Sequence, residues 1–274
     1  MRTSKLILAI LIPLLLLLSG CSLSRKATNK GDRSGVALSE RAFLDQYLAK
    51  TPPQCVQATG TLTARLGDDG MRVPVRYSLD RSAGLVLSLR PLPFVEAGRI
   101  DVDRETLLVQ DRINRRYFRI SHTSQGLRHA TSAMIGLDPT LLRAIALCEP
   151  FTRREVGATV LRHMKMHYGE DGQYIFENKK EGVRHEFDHE LRLTRSLLSQ
   201  HKGWHAEVIY ADYSETGVPQ STRVAITLSD DRTFCLDLKL NKLSYQATTT
   251  ADTTPTEGYR EIGIKELIEI LKNL

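Results

Sequence analysis

Residues 85–121 read LVLSLRPLPFVEAGRIDVDRETLLVQDRINRRYFRIS, and the pattern of this stretch indicates the class of fold. Short apolar runs such as LVLSL, TLLVQD and RYFRIS are separated by turn-forming segments at a spacing of about ten residues. This spacing is typical of a meander, in which each short strand pairs with the next in antiparallel fashion. We therefore predict a series of hairpin-connected strands across this stretch.

The segments on either side alternate apolar and polar residues. In VQATGTLTARL (56–66) and MRVPVRYSL (71–79), nearly every second residue is apolar, and TFCLDLKLNKLSY (233–245) shows the same alternation. A period of two places the apolar residues on one face of a strand. Gly60, in the middle of the first run, predicts a local bend.

Segments whose apolar residues recur at helical spacing interrupt the series of predicted strands. Apolar residues recur with a helical period in 124–136 and 139–147, and the helix could continue through 151–164. Ser39 is a candidate N-cap for a short helix that follows it, and IGIKELIEILKNL at the C-terminus predicts an amphipathic helix. The predicted fold class is mainly β with helices, without the βαβ alternation of a parallel sheet.

The N-terminus has the features of an export signal followed by a lipidation site. Residues 1–20 contain a positively charged start and an apolar run too short to be a good membrane span. Leu18-Ser19-Gly20-Cys21 resembles the bacterial lipobox, in which the cysteine is acylated and becomes the mature N-terminus. We predict a signal peptide over 1–20, a lipidated flexible tether over 21–36 and a single domain over 37–274. An uncleaved anchor or an ordinary secreted protein is the alternative.

The composition argues against dedicated nucleic-acid binding. The formal net charge of +6 is a mild excess, and no basic patch is interleaved with aromatic residues. Besides Cys21 there are Cys55, Cys148 and Cys235, which form no C-x-x-C pair and permit at most one disulfide. The sequence has no nucleophile elbow, phosphate loop or dinucleotide fingerprint. We expect no cofactor and no enzymatic activity.

One stretch matches the sequence motif of zinc hydrolases. VRHEFDHELRL (183–193) contains H-E-x-x-H, in which His185 and His189 would bind the metal and Glu186 would activate water. That chemistry requires a helix, whereas the charged residues here alternate with apolar residues and histidines in a period of two. On one strand, Glu186 would point away from both histidines, which would lie about 13 Å apart, too far to share a zinc ion. We predict a strand and a chance match, with a zinc hydrolase as the minor alternative.

The order of elements, together with the lipobox, resembles the LolA/LolB-like outer-membrane lipoprotein superfamily, and within it an uncharacterised branch related to LolB. The matching segments are a strand ending in a Pro-Leu loop, the hairpin VQDRINRRY, the helical stretch LDPTLLRAIALCEPF and the late strand TFCLDLKLNKLSY. The resemblance implies an unclosed antiparallel half-barrel with a helical lid, at about residues 123–164, and an apolar cavity. An incompletely filled interior of this kind suits acyl chains, whereas a solidly packed one would not.

The loop PLPF (Pro91–Phe94) carries the most specific part of the resemblance. In LolB-like proteins an exposed leucine in the corresponding loop helps to deliver lipoproteins into the membrane. Leu92 is the matching position, and Phe94 lies beside it. The two prolines keep the loop out of the strand ladder, so both side chains could stand exposed at the rim of the sheet. Alternatively, Leu92 and Phe94 fold back onto the core.

These observations predict a non-enzymatic lipoprotein of the outer membrane that faces the periplasm and acts as a monomer. Ser22 follows Cys21, and by resemblance to enteric lipoproteins the absence of aspartate there permits transfer to the outer membrane. The expected partners are the membrane, through the lipid anchor, and hydrophobic ligands or the acyl chains of lipoproteins. The alternative is a scaffold or assembly lipoprotein with a filled barrel and no ligand.

Overall fold

The computed structural model describes residues 37–66, 69–121, 139–199, 204–227, 233–246, 249–263 and 266. Two α-helices and one 3-10 helix lie in these ranges: α1 (Glu40–Leu48), α2 (Pro139–Ala146) and the 3-10 helix Ala158–His163. The strands are β1 (Cys55–Leu66), β2 (Asp69–Asp80), β3 (Gly84–Leu89), β4 (Gly98–Val102), β5 (Thr106–Asp111), β6 (Arg116–Ser121), β7 (Lys165–Tyr168), β8 (Tyr174–Asn178), β9 (Val183–Phe187), β10 (Leu193–Ser199), β11 (His205–Tyr213), β12 (Pro219–Thr227), β13 (Thr233–Ser244) and β14 (Arg260–Glu261).

All these strands belong to one sheet, in the order β14-β6-β5-β4-β3-β2-β1-β13-β12-β11-β10-β9-β8-β7. Neighbours pair in antiparallel fashion, except that the short β14 runs parallel to β6. Two meanders, β1–β6 and β7–β13, therefore meet at a central seam between β1 and β13. The outermost strands, β14 and β7, lie at opposite edges, so the sheet is unclosed. The predicted class, mainly β with helices and an unclosed antiparallel sheet, is confirmed.

The alternating pattern of the sequence gives the sheet one apolar face, which we call the core face. On β1, the side chains of Val56, Ala58, Leu62 and Ala64 are buried on this face, and the residues between them point to the opposite, outer face. Gly60 marks a close approach at the seam, because a Cβ atom there would lie only 2.3 Å from the backbone oxygen of Lys239. A register shift at Gln57–Thr59 accompanies this approach, as expected for a bend.

Two large apolar clusters cover the core face. One consists mainly of residues from β1–β6, and the other contains Phe43 of α1 together with residues of β8–β11. Helix α2 contributes to both, because Leu142 and Ala146 pack against the first cluster while Ala144 lies in the second. The helix thus bridges the cores of the two meanders, which makes them one packed unit.

Helix α1 begins as the sequence predicts. The side-chain oxygen of Ser39 accepts a hydrogen bond from the backbone N–H of Ala42 at 3.3 Å, which satisfies one donor of the first turn. The helix places the fully buried ring of Phe43 among Tyr174, Phe176 and Phe187, with ring centroids 4.8 to 5.1 Å apart. These edge and tilted contacts attach α1 to the second meander.

The predicted helical insert is only partly helical in the described residues. Residues 139–146 form α2, as predicted, but the possible continuation over 151–164 is wrong. Phe151 instead forms a bridge with Val156, and Gly157 has a φ of 102°, which no α-helix accommodates, so only a 3-10 helix follows. The predicted helix over 124–136 lies outside the described residues, as does nearly all of the predicted C-terminal helix. No helix within the described ranges has the length and apolar character needed to cross a membrane.

Candidate functional site: the core face and its rim

The middle of the core face differs from its two ends, because small side chains and partly accessible apolar side chains meet there. On the seam strand β1, the core-face positions include Ala58, Gly60 and Ala64. Beside β1, Leu236 and Leu238 of β13 are only half-buried although they pack against the first apolar cluster. Ala64 is the partner of Leu236 across the seam, and this small side chain beside the half-buried leucines leaves apolar surface available on this part of the face.

Helix α2 is fixed over the neighbouring strands by polar contacts at its C-terminal end. It packs on β3 and β4, and the hydroxyl of Tyr77 donates a hydrogen bond to the backbone oxygen of Ala146 at 3.1 Å. Arg81 forms an ion pair with Glu149 at 2.5 Å, and Arg143 donates to the backbone oxygen of Arg81. Arg81 also donates to the backbone oxygen of Leu147 at 3.4 Å, and contact of a basic side chain with carbonyls at a helix C-terminus is favourable. The helix therefore holds one side of the apolar surface in place.

Cys148, two residues after α2, is partly buried and forms a small polar group with Tyr213. Its Sγ is 3.2 Å from the hydroxyl oxygen of Tyr213, and its backbone has a positive φ of 53°. Burial raises the pKa of the Cys148 thiol to about 12, so the thiol stays protonated at neutral pH and is a poor nucleophile. Cys148 and Cys235 are free thiols in the structure. This group is therefore a structural element beneath α2, and no nucleophile is available in it.

The loop Pro91–Phe94, which we call the rim loop, connects β3 and β4 at one end of the sheet. The side chain of Leu92 is 60% exposed and that of Phe94 is 97% exposed, so neither folds back onto the core. The Phe94 ring, almost entirely in water, makes this loop the most exposed large apolar feature in the described residues. Of the two alternatives left open by the sequence, the structure favours the exposed tip.

The rim loop is braced by charged residues on both sides. Glu96 lies between two arginines, at 3.4 Å from Arg90 and 3.3 Å from Arg112. Backbone hydrogen bonds from Ala97 to the oxygen of Leu89 and from Arg112 to the oxygen of Ala97 tie the base of the loop to the ends of β3 and β5. A loop held in this way presents its apolar tip at little cost in conformational entropy.

We predicted one continuous strand over 183–193. This prediction is wrong, because the stretch forms a hairpin. Strand β9 ends at Phe187 and β10 begins at Leu193, with a turn between them. Asp188 organises this turn, because its carboxylate accepts hydrogen bonds from the backbone N–H groups of Glu190 and Arg192, both at 2.9 Å. Leu191 has a positive φ of 56°, which reverses the chain direction. His189 therefore lies in the turn, away from the strand that carries His185 and Glu186.

His185 is a buried core residue with both ring nitrogens satisfied. Its Nδ1 lies 2.9 Å from Oγ of Ser196, and its Nε2 lies 2.7 Å from the backbone oxygen and 3.1 Å from the backbone nitrogen of Phe151. Burial lowers the pKa of His185 to about 4, so the ring is neutral at physiological pH. Its hydrogen bonds join the β9–β10 hairpin to the segment after α2.

Glu186 is engaged in ion pairs. Its Oε1 lies 2.8 Å from Arg184 and 3.6 Å from Arg195. Among the described residues, no group of three or more histidine, cysteine, aspartate or glutamate side chains is placed to hold a metal ion. The geometry thus assigns His185 and Glu186 structural contacts, and we retain the prediction that H-E-x-x-H is a chance match.

Comparison with solved structures finds proteins of similar architecture. A LolA superfamily protein from Nitrosomonas europaea matches with a TM-score of 0.46 at 10% identity, covering 78% of this chain and 96% of that one. A domain described as an outer membrane lipoprotein-sorting protein, from Vibrio parahaemolyticus, matches with a TM-score of 0.46 at 13% identity, covering 84% and 97%. A DUF1329 family protein from Desulfovibrio piger matches with a TM-score of 0.38 at 11% identity, covering 77% and 92%.

A LolA superfamily protein is thus among the structures that this chain is similar to. No protein-family model matches the sequence, and no curated protein matches it. The predicted lipidation site, Cys21, lies outside the described residues, so its modification stays a prediction.

The sequence did not reveal the ion pairs at the base of the rim loop, which we call the brace, or the turn at Asp188. The brace depends on Arg90, Glu96 and Arg112, which meet only when β3, β4 and β5 pair. The turn could have been recognised from Asp188, since aspartate often accepts hydrogen bonds from backbone N–H groups two or more residues ahead. The lack of glycine, proline or asparagine in residues 188–192 concealed it.

Proposed function

We propose that the protein is a non-enzymatic lipoprotein of the outer membrane, facing the periplasm, that binds acyl chains on the middle of its core face. In this proposal Cys21 carries the lipid anchor, the tether over 21–36 separates the domain from the membrane, and the domain binds a hydrophobic ligand. The ligand could belong to a lipid or to a lipoprotein that the protein receives or inserts.

The observation that carries this proposal is the apolar surface at the seam of the sheet. Leu236 and Leu238 remain half-buried on the core face, beside small residues at Ala58, Gly60 and Ala64. Each methylene group of an acyl chain buried on such a surface contributes about 0.8 kcal/mol. A chain of several methylene groups would therefore bind without any specific polar contact, as is typical of a lipid carrier.

The rim loop has a separate role in the proposal. An exposed aromatic ring and an exposed leucine on a rigid loop gain free energy when they enter the acyl region of a bilayer. Arg90 and Arg112 at the base of the loop would at the same time lie at the level of the lipid phosphates. We therefore propose that Leu92 and Phe94 contact the membrane or the cargo when the ligand passes between the protein and the membrane.

Two measurements test the binding of acyl chains. Native mass spectrometry of the protein purified from membranes should show a co-purified lipid in addition to the covalent anchor. The double variant Leu236→Gln/Leu238→Gln should then reduce the binding of a fluorescent fatty acid by about tenfold, since two apolar contacts are replaced by polar groups that must be desolvated.

The matched control is Lys239→Gln on the same strand, whose side chain lies on the outer face. It should leave fatty-acid binding unchanged. A mass that corresponds to the anchored protein alone, together with equal fatty-acid binding by all three proteins, would contradict the proposal and leave a scaffold with a filled interior.

A further inference from the structure

The outer face of the sheet has a groove where the two meanders meet, on the opposite side from the proposed acyl-chain surface. Strand register places Arg72, Thr63, Asp237 and Arg223 in one row across β2, β1, β13 and β12. The next row contains Thr61, with Lys239 and Ser221 as its partners on β13 and β12. The groove therefore crosses the β1–β13 seam and has a volume of about 410 Å³.

The depth of the groove follows from the lengths of its side chains. Threonine or serine at positions 61, 63 and 221 forms a low floor. Four long cationic side chains form the walls, and these are Arg65, Arg72, Arg223 and Lys239. A floor of hydroxyl groups, with Ile209 and Ala211 beside it, lies between guanidinium and ammonium groups that are hydrogen-bond donors with full charge.

One carboxylate holds part of this cationic wall in position. Asp237 accepts from Arg65 through one oxygen and from Arg223 through the other, the latter at 2.5 Å. The two guanidinium groups are thus oriented before any ligand arrives. Arg72 and Lys239 are exposed and form no ion pair with any residue in the part of the chain that the structure describes. Four cations face one carboxylate, which leaves a formal charge of +3 in the groove.

We infer that this groove binds a phosphate-bearing ligand. Guanidinium groups match the geometry of phosphate oxygens, and a charge-assisted hydrogen bond is about twice as strong as a neutral one. The groove is larger than a single phosphate ion requires, so the phosphate is expected to carry a further polar group such as a sugar or a glycerol. The source could be the head group of a lipid or a soluble phosphorylated sugar, since both present the same chemistry.

Calorimetric titration of the full chain in neutral detergent tests the inference. The probes are inorganic phosphate, glucose 6-phosphate and short-chain dihexanoyl phosphatidic acid, with glucose and dihexanoyl phosphatidylcholine as counterparts without a phosphomonoester. Wild-type protein should bind at least one of the two phosphomonoester compounds more tightly than its counterpart. Arg72→Gln/Lys239→Gln should weaken that binding by about tenfold or more, and the fold should persist because both side chains are exposed.

The matched control is Arg76→Gln/Arg119→Gln, which removes two exposed arginines that do not line the groove. It should bind the ligand like the wild type. If glucose 6-phosphate binds, the source is a soluble sugar phosphate, and if only the phosphatidic acid binds, the source is a lipid head group. Absence of binding by wild type, or equal weakening in the two double variants, would overturn the inference. Fatty-acid binding should not change in either variant, so failure here is distinguishable from failure of the proposed function.

Discussion

At the scale of single residues, His185 belongs to a metal-binding sequence motif, but in the structure it is a buried residue that joins two segments through hydrogen bonds. His185 touches Ser196 on β10 and the backbone of Phe151 through its two ring nitrogens, which leaves neither nitrogen available for a metal. The chance match with a zinc-site motif was recognisable from the alternation of the sequence. The specific partners were not, because Phe151 lies 34 residues away in the chain.

Burial of His185 predicts that stability depends on pH. The unfolded chain binds a proton at this ring below about pH 6.5, whereas the folded protein accepts one only near pH 4. Since the unfolded state binds more protons in this window, the free energy of unfolding falls as pH decreases from 6.5 to 4, by about 3 kcal/mol. Urea unfolding at several pH values measures this change.

The variant His185→Gln should be less stable at neutral pH, because it alters a buried hydrogen-bonded group. Its stability should also depend much less on pH between 6.5 and 4. The control His189→Gln, in the β9–β10 turn, should keep the pH dependence of the wild type. Equal pH dependence in all three proteins would show that another group is responsible.

At the scale of elements, the strands of the first meander were predicted, whereas the β9–β10 turn was not. The positions of β1 and β2 follow from the alternation of apolar residues, because this pattern directly determines which face is buried, and β3–β6 follow from short apolar runs between turn-forming segments. The β9–β10 turn was missed because Asp188, Glu190 and Arg192 continue the charged alternation of the strand through the turn itself. A pattern of polarity cannot distinguish a charged turn from an exposed strand face, since both are solvated.

The rim loop allows a direct test of its predicted role. Leu92→Glu/Phe94→Glu should leave the melting temperature nearly unchanged, because both side chains are already exposed. Binding of the chain expressed from Ser22 to phospholipid vesicles should weaken, since carboxylates resist transfer into the bilayer. Vesicle sedimentation and thermal unfolding measure the two effects.

The control for the rim loop is Leu92→Gln/Phe94→Gln, which removes the apolar groups without adding negative charge. If apolar contact is decisive, both double variants should lose vesicle binding. If only the glutamate pair weakens binding, repulsion from the lipid phosphates is responsible. Vesicle binding that survives in both variants would argue against a membrane role for the loop.

At the scale of the whole molecule, the sequence predicted an unclosed antiparallel sheet with helices on one face, and the structure has this architecture. The pairing of β1 with β13 could not be predicted, because local patterns carry no information on which distant strands meet. The outer groove was missed for the same reason. Its cations are separated in sequence by as many as 174 residues, from Arg65 to Lys239, and only the seam brings them together.

The lipid anchor is tested on the whole molecule. Cys21→Ala removes the thiol that acylation requires, so the protein should accumulate as an unprocessed precursor or as a soluble periplasmic product. Cell fractionation and intact mass measure the outcome, with Cys55→Ala as a control that retains the anchor. A variant at Cys21 that is still cleaved after residue 20 and still partitions with membranes would contradict the lipidation site.

The β1–β13 seam also determines the order in which the chain folds. Hairpins such as β1–β2 close over short loops, whereas Thr63 can pair with Asp237 only when most of the chain is present. Until then β1 is an unpaired edge with an apolar face, which is the kind of strand that recruits other chains. A pairing between strands so distant in sequence forms late, and partly folded chains that still expose its edges are prone to aggregation. In the crowded cell, closure of the seam would thus limit the yield of native protein, and dependence on a chaperone would follow.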